Sequence, residues 1–98
     1  MNDHWILTEN GKTKKVDLMT WARWFENGEK RRVAQTVVQD ATVSTVFLGL
    51  NHQFGHGPPL LFETMIFGGK HDDFCDRYST LEEARRGHDQ AVAMVEAQ

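Results

Sequence analysis

The stretch Ser44–Gly69, STVFLGLNHQFGHGPPLLFETMIFGG, constrains this chain more than any other. Two runs rich in β-branched and aromatic residues, Ser44–Leu50 and Leu60–Phe67, flank a segment with two histidines, two glycines and a proline pair. That arrangement reads as the central hairpin of an antiparallel sheet. Its tip, Asn51–Pro59, is longer than the roughly two to five residues of an ordinary hairpin loop. Long loops on rigid strands are where binding residues concentrate.

Both strands carry apolar side chains on both faces. Val46, Leu48 and Leu50 alternate on one side of the first while Phe47 points to the other. In the second, Leu60, Phe62 and Ile66 oppose Leu61, Met65 and Phe67. Strands of this kind are normally covered twice. Two short helices cover one face, so a second copy of the chain is expected on the other, against Phe47, Met65 and Phe67.

The elements around the hairpin are well punctuated. His4–Thr8 is a short apolar run before the turn signal Asn10-Gly11, which reads either as a first strand and turn or as a loosely held N-terminal arm. Asp17 caps a helix over Asp17–Asn27 whose stripe is Leu18, Trp21, Ala22 and Phe25, and Asn27-Gly28 reads as its left-handed stop. Trp21 and Trp24 read as core at this spacing, the other reading being stacking on a base or sugar. Arg32–Gln39 and Phe74–Tyr78 are strand-like. Thr80-Leu81-Glu82-Glu83 is a capping box, opening a helix with the stripe Leu81, Ala84, His88, Ala91, Val92 and Val95. Losing Thr80 is expected to cost more than losing Glu83. The order is β-α-β-β-β-β-α: a single α+β domain over 1–98, with a four-stranded antiparallel meander and two helices on one face.

Composition narrows the setting. The chain has 98 residues, 40% of them hydrophobic and 26% charged, with a formal net charge of −3. These are values of an ordinary soluble domain. No apolar run approaches the ~20 residues of a membrane span, and no signal-peptide pattern opens the chain, so the expected location is the cytoplasm. The lone Cys75 forms no internal disulfide, in keeping with a reducing compartment; it reads as a small strand residue before a catalytic thiol. Basic residues cluster at Lys12-Lys14-Lys15 and Lys30-Arg31-Arg32. A nucleic-acid partner is not expected, because such binders carry a stronger basic excess.

A longer string of residues carries a resemblance. STVFLGL, then His52, Phe54, GPPLLFETM and Phe67, then Arg77-Tyr78-Ser79-Thr80, Glu82-Glu83-Ala84 and Gly87-His88, resembles a group of short phage- and prophage-encoded proteins. The likeness runs from Ser44 to about Val95, half of the chain. It implies a host-cell setting and partners among host or phage macromolecules, defence systems included, and brings no catalytic residues with it.

The residues themselves nominate His52, Phe54, His56, Pro58, Glu63, Tyr78 and His88 for binding. Gly55 and Gly57 frame His56, and Pro58-Pro59 stiffens the loop exit. Glu63 is the one acid inside the hairpin strands, with Arg77 its expected salt-bridge partner. His88 interrupts an apolar stripe and should point at the sheet, its expected partners a strand carbonyl, Tyr78 or Glu63. No HExxH or CxxC spacing is present, so neither a metal nor a cofactor is expected. The first reading is a homodimeric, non-enzymatic binding protein acting through its loop and sheet edge. The alternative is a small-ligand (nucleotide or anion) binder or metal-assisted hydrolase assembled from the loop histidines with Glu63 and His88.

Overall fold

The computed structural model describes residues 3–97. Its centre is an antiparallel sheet of four strands in sequential order: β3 (Arg32–Val38), β4 (Ala41–Phe47), β5 (Phe62–Phe67) and β6 (Cys75–Tyr78). Before it come β1 (His4–Leu7) and β2 (Thr13–Val16), a separate hairpin turned at Asn10-Gly11, and helix α1 (Leu18–Phe25). Helix α2 (Leu81–Glu96) closes the chain. The α+β class and the meander are as the patterns predict. The order gains a strand, because TKKV at Thr13–Val16 is nearly all polar and becomes β2 only by pairing with β1.

Register decides what is inside. Phe47 pairs with Phe62, Thr45 with Thr64 and Val43 with Ile66. These side chains face α2 and are all essentially buried, together with Ala84, Ala91 and Val95 of the helix. Phe47 therefore belongs to the helix-covered face, not to the bare one where Met65 and Phe67 lie. Leu61, just before β5, is also buried, against Phe47, Phe62 and Ala84.

Three rows of residues remain on the bare face: Val37, Thr42 and Phe67; Gln35, Ser44, Met65 and Cys75; Arg32, Val46, Glu63 and Arg77. Val37 is 73% exposed and Phe67 51%. A β-bulge between Arg32 and Ala34 keeps Arg32 on this face and sends Val33 to the core side.

The β1–β2 hairpin and α1 sit at one end of the helix-covered face. Trp24 meets Phe47 edge to face at 5.4 Å between centroids, and Trp5 and Leu7 pack on the same cluster. Both tryptophans of α1 are structural. Trp21 stacks on Phe25 at 4.4 Å and donates its indole N–H to the Gly49 carbonyl at 3.0 Å. Asp17 caps α1 by accepting from the Thr20 amide at 2.8 Å. The helix does not end in a left-handed residue. Asn27 instead caps a short 3₁₀ turn, Gly28–Arg31, through the Glu29 amide.

The capping box of α2 forms as read, with one revision. The Thr80 hydroxyl accepts from the Glu83 amide at 3.1 Å, but one Glu83 carboxylate oxygen collects the amides of Ser79 and Thr80 at 3.3 and 3.1 Å. Thr80→Ala should cost about 1 kcal/mol. Glu83→Ala should cost as much, since it strips two end donors rather than one. Thermal unfolding of both variants checks this, and an unchanged melting temperature for Glu83→Ala would refute it.

Candidate functional site

The long loop is built from its base upward. Beyond Phe47 and Phe62 the ladder continues irregularly, with Leu48 N–H donating to Leu61 O at 2.7 Å and His52 N–H to Leu60 O at 3.0 Å. Asn51 ties both sides together: its side-chain oxygen accepts from the amides of Gln53 and Leu60 at 2.8 and 3.0 Å. From the other side the N-terminal lobe grips the base. His4 bridges to Leu50, and Trp5 N–H and the Trp21 indole both donate to Gly49 O. Gly49 has φ +80°, and a Cβ there would lie 2.7 Å from the Phe25 ring, so the lobe docks only on a glycine. His52 is half-buried beside this base, while Phe54, His56 and Pro58 form an exposed tip, Phe54 at 91%.

His88 lies elsewhere, in the middle of the helix–sheet core. It is 4% exposed and bonded on both ring nitrogens. Nδ1 is 2.7 Å from the Thr45 hydroxyl and Nε2 is 2.9 Å from the Thr36 hydroxyl. Thr45 in turn bonds to Thr64. One hydroxyl from each of β3, β4 and β5 is thus linked through one imidazole. The expected partners were a strand carbonyl, Tyr78 or Glu63; the observed ones are threonines. A neutral imidazole satisfies this chain, donating at one nitrogen and accepting at the other. Burial holds its pKa below the ordinary 6.5, only partly opposed by Asp89. Burial likewise pushes the Tyr78 phenol up, with Thr64 opposing.

Sequence reasoning missed Thr36, Thr45 and Thr64. The signal was present in Ala41, Val43, Thr45 and Phe47, an alternating set in which one hydroxyl shares an apolar face. A buried hydroxyl needs a partner, and His88 was the one polar group in the opposing stripe.

Glu63 does pair with Arg77, at 2.9 Å, and also accepts from the Cys75 thiol at 3.5 Å. Both contacts lie on the bare face of the sheet, opposite His88. Burial first, and then the Glu63 charge, push the Cys75 pKa up, which keeps the thiol protonated and a poor nucleophile. The structure therefore separates the nominated residues into three places: His52, Phe54, His56 and Pro58 on the loop, Tyr78 and His88 in the core, and Glu63 behind the sheet. No metal site joins them; among the described residues no three His, Cys, Asp or Glu side chains form a metal-binding group. No helix of the described residues is long and apolar enough to cross a membrane.

The second basic cluster is partly absorbed by packing, since the Arg31 guanidinium lies 4.1 Å over the Phe25 ring. Compared with known proteins, the chain matches no family model, no curated protein and no solved structure.

Proposed function

We propose that this chain is a small, non-enzymatic binding protein of a phage or prophage, working in the host cytoplasm as a homodimer on a host or phage macromolecule. The phage setting rests on the resemblance of the Ser44–Val95 string. The observation that carries the binding reading is the bare sheet face, which leaves Val37, Val46, Met65 and Phe67 without cover from either helix. The alternative, a hydrolase or nucleotide site joining the loop histidines to Glu63 and His88, loses its support because Glu63 and His88 point to opposite faces of the sheet.

The occupant that fits the bare face is a second copy. A two-fold axis along β4 lays β3 of one copy over β5 of the other and leaves the rows in step. Arg32 then faces Glu63, Gln35 faces Met65, and Val37 faces Phe67, each twice. Opposite charges meet at one end and apolar side chains at the other. Eleven residues point outward here, fewer than the roughly 20–30 a side of a standard interface. The dimer should accordingly be weak, with dissociation in the micromolar range or above, on the order of −8 kcal/mol or less favourable.

Sedimentation across a concentration series is expected to move from an 11.3 kDa species toward twice that mass. Val37→Asp or Arg32→Glu should abolish the shift, and Arg32→Glu combined with Glu63→Arg should restore it. A monomer throughout the series would remove the dimer from this reading, and a dimer indifferent to these substitutions would move it to another surface.

A further inference from the structure

The two edges of the four-stranded sheet are not alike. β6 is four residues long and carries Asp76 and Arg77, the short, charged form that keeps other strands away. β3 runs for seven residues without a proline, and residues 34–38 carry no charge. Among the described residues no backbone bond outside the β3–β4 ladder involves residues 34–38. Two bonds fix the phase of the sheet. The Ile66 amide donates to Phe74 O on the β6 side, and the Leu48 amide to Leu61 O on the β5 side. Alternation then turns Ala41, Val43 and Thr45 toward β3, where they pair with Val38, Thr36 and Ala34. Gln35 and Val37 are left with N–H and C=O pointing outward, ready for another strand.

We propose that this edge pairs with the same edge of a second copy, joining the two sheets into one continuous antiparallel sheet. The edge fits itself. With a two-fold axis through Thr36, Gln35 of each copy exchanges hydrogen bonds with Val37 of the other, which satisfies every outward group of both residues. Ala34 then opposes Val38 and Thr36 opposes Thr36, with no like charges facing. At each end Arg32 of one copy reaches the Gln39-Asp40 turn of the other, a cation beside an anion. Among the described residues neither Arg32 nor Asp40 is in an ion pair. Other registers fit less well. Centring on Gln35 sets Val37 against the bulge at Val33, and centring on Val37 sets Gln35 against Gln39, which lies past the strand end at φ 54°. The new bonds lie in the plane of the sheet, so the bare face stays free and this pairing does not rest on the face-to-face dimer.

Arg32→Glu and Val37→Asp disturb both surfaces, so the test is made on Glu63→Arg, which disturbs the face alone, with Cys75→Ser to remove the natural thiol. In that background Gln35→Cys and Val37→Cys are made separately and then mixed. Their Cα atoms in the paired strands are about 5.5 Å apart, within the ~4.4–6.8 Å that a disulfide spans. Mild oxidation should give a mixed disulfide, counted by mass spectrometry, roughly fivefold or more above that of either variant oxidised by itself. Gln35→Pro removes an outward N–H and none that bonds to β4, so the chain should keep its circular dichroism and lose its association in sedimentation. Mixed cross-linking no greater than that of the single variants, or association that survives Gln35→Pro, would overturn the proposal. A Glu63→Arg chain that stays monomeric at every concentration would overturn it too, leaving the edge to a strand of another protein. Failure of the face-to-face dimer shows separately, as a parent whose association Glu63→Arg does not weaken.

Discussion

Replacing Gly87 by alanine is expected to destabilise the protein by about 2 kcal/mol, the middle of the range for overpacking a core, although alanine is the better helix former by ~1 kcal/mol. The reason is contact with the sheet. A Cβ on Gly87 would lie 2.2 Å from both Cζ and the hydroxyl of Tyr78, whose ring crosses the helix at this point. The ring must swing away, which opens the core beside Phe62 and Ala84. For a domain of this size the loss is roughly 10 °C in melting temperature. Tyr78→Ala removes the obstacle, so adding Gly87→Ala in that background should be neutral or stabilising. A Gly87→Ala protein that melts at or above the parent temperature would show that the ring is not held where it lies.

His88→Leu is the second large effect, expected to cost about 1–3 kcal/mol because it keeps most of the side-chain volume and deletes a buried hydrogen-bond partner. Thr45 is wholly buried and would retain only Thr64, while the half-buried Thr36 would lose its imidazole bond. The same residue gives stability a pH dependence of definite sign. Unfolded, the imidazole takes up a proton near the ordinary 6.5; folded, burial holds it neutral to lower pH. Between those values the unfolded state binds more protons, so stability is fully present above about 6.5 and falls as the solution is acidified. The groups bonded to the ring, the Thr36 and Thr45 hydroxyls, carry no charge, and the Asp89 carboxylate only partly opposes the effect of burial. The chain carries four other histidines, so total stability against pH does not isolate this one. The quantity to compare is therefore the difference between parent and His88→Leu denaturation midpoints from about pH 7.5 to 5. That difference should narrow as the pH falls. A constant difference across the range would mean that His88 does not resist protonation.

Much of the architecture was legible residue by residue. Thr80 and Glu83, three apart, announce the start of α2, and its stripe of Leu81, Ala84, His88, Ala91 and Val95 identifies the face that meets the sheet. Asp17 marks the start of α1, Asn10-Gly11 the first turn, and Glu63 with Arg77 a cross-strand pair. The errors share a cause. Phe47 reads as a bare-face residue because its strand is apolar on both sides, and β2 gives no signal because its sequence is polar. The candidate site fared less well, since residues from the loop, the core and the back of the sheet look adjacent in sequence but are separated by the sheet itself.

What this sequence determined by itself is whatever depends on groups within about four positions of one another: caps, tight turns, and the 3.6- and 2-residue periods that define a helix stripe or a strand face. Those interactions form in the segment alone, so their residues can be read without knowing the rest. The tertiary structure decided which of two apolar strand faces lies inside, because a one-residue slip of register exchanges them and only the packing of α2 on Val43, Thr45 and Phe47 tells them apart. It also decided that His88 is held by hydroxyls 43 and 52 positions away. Hydrogen bonds at that separation exist only after three strands and a helix have been brought into place.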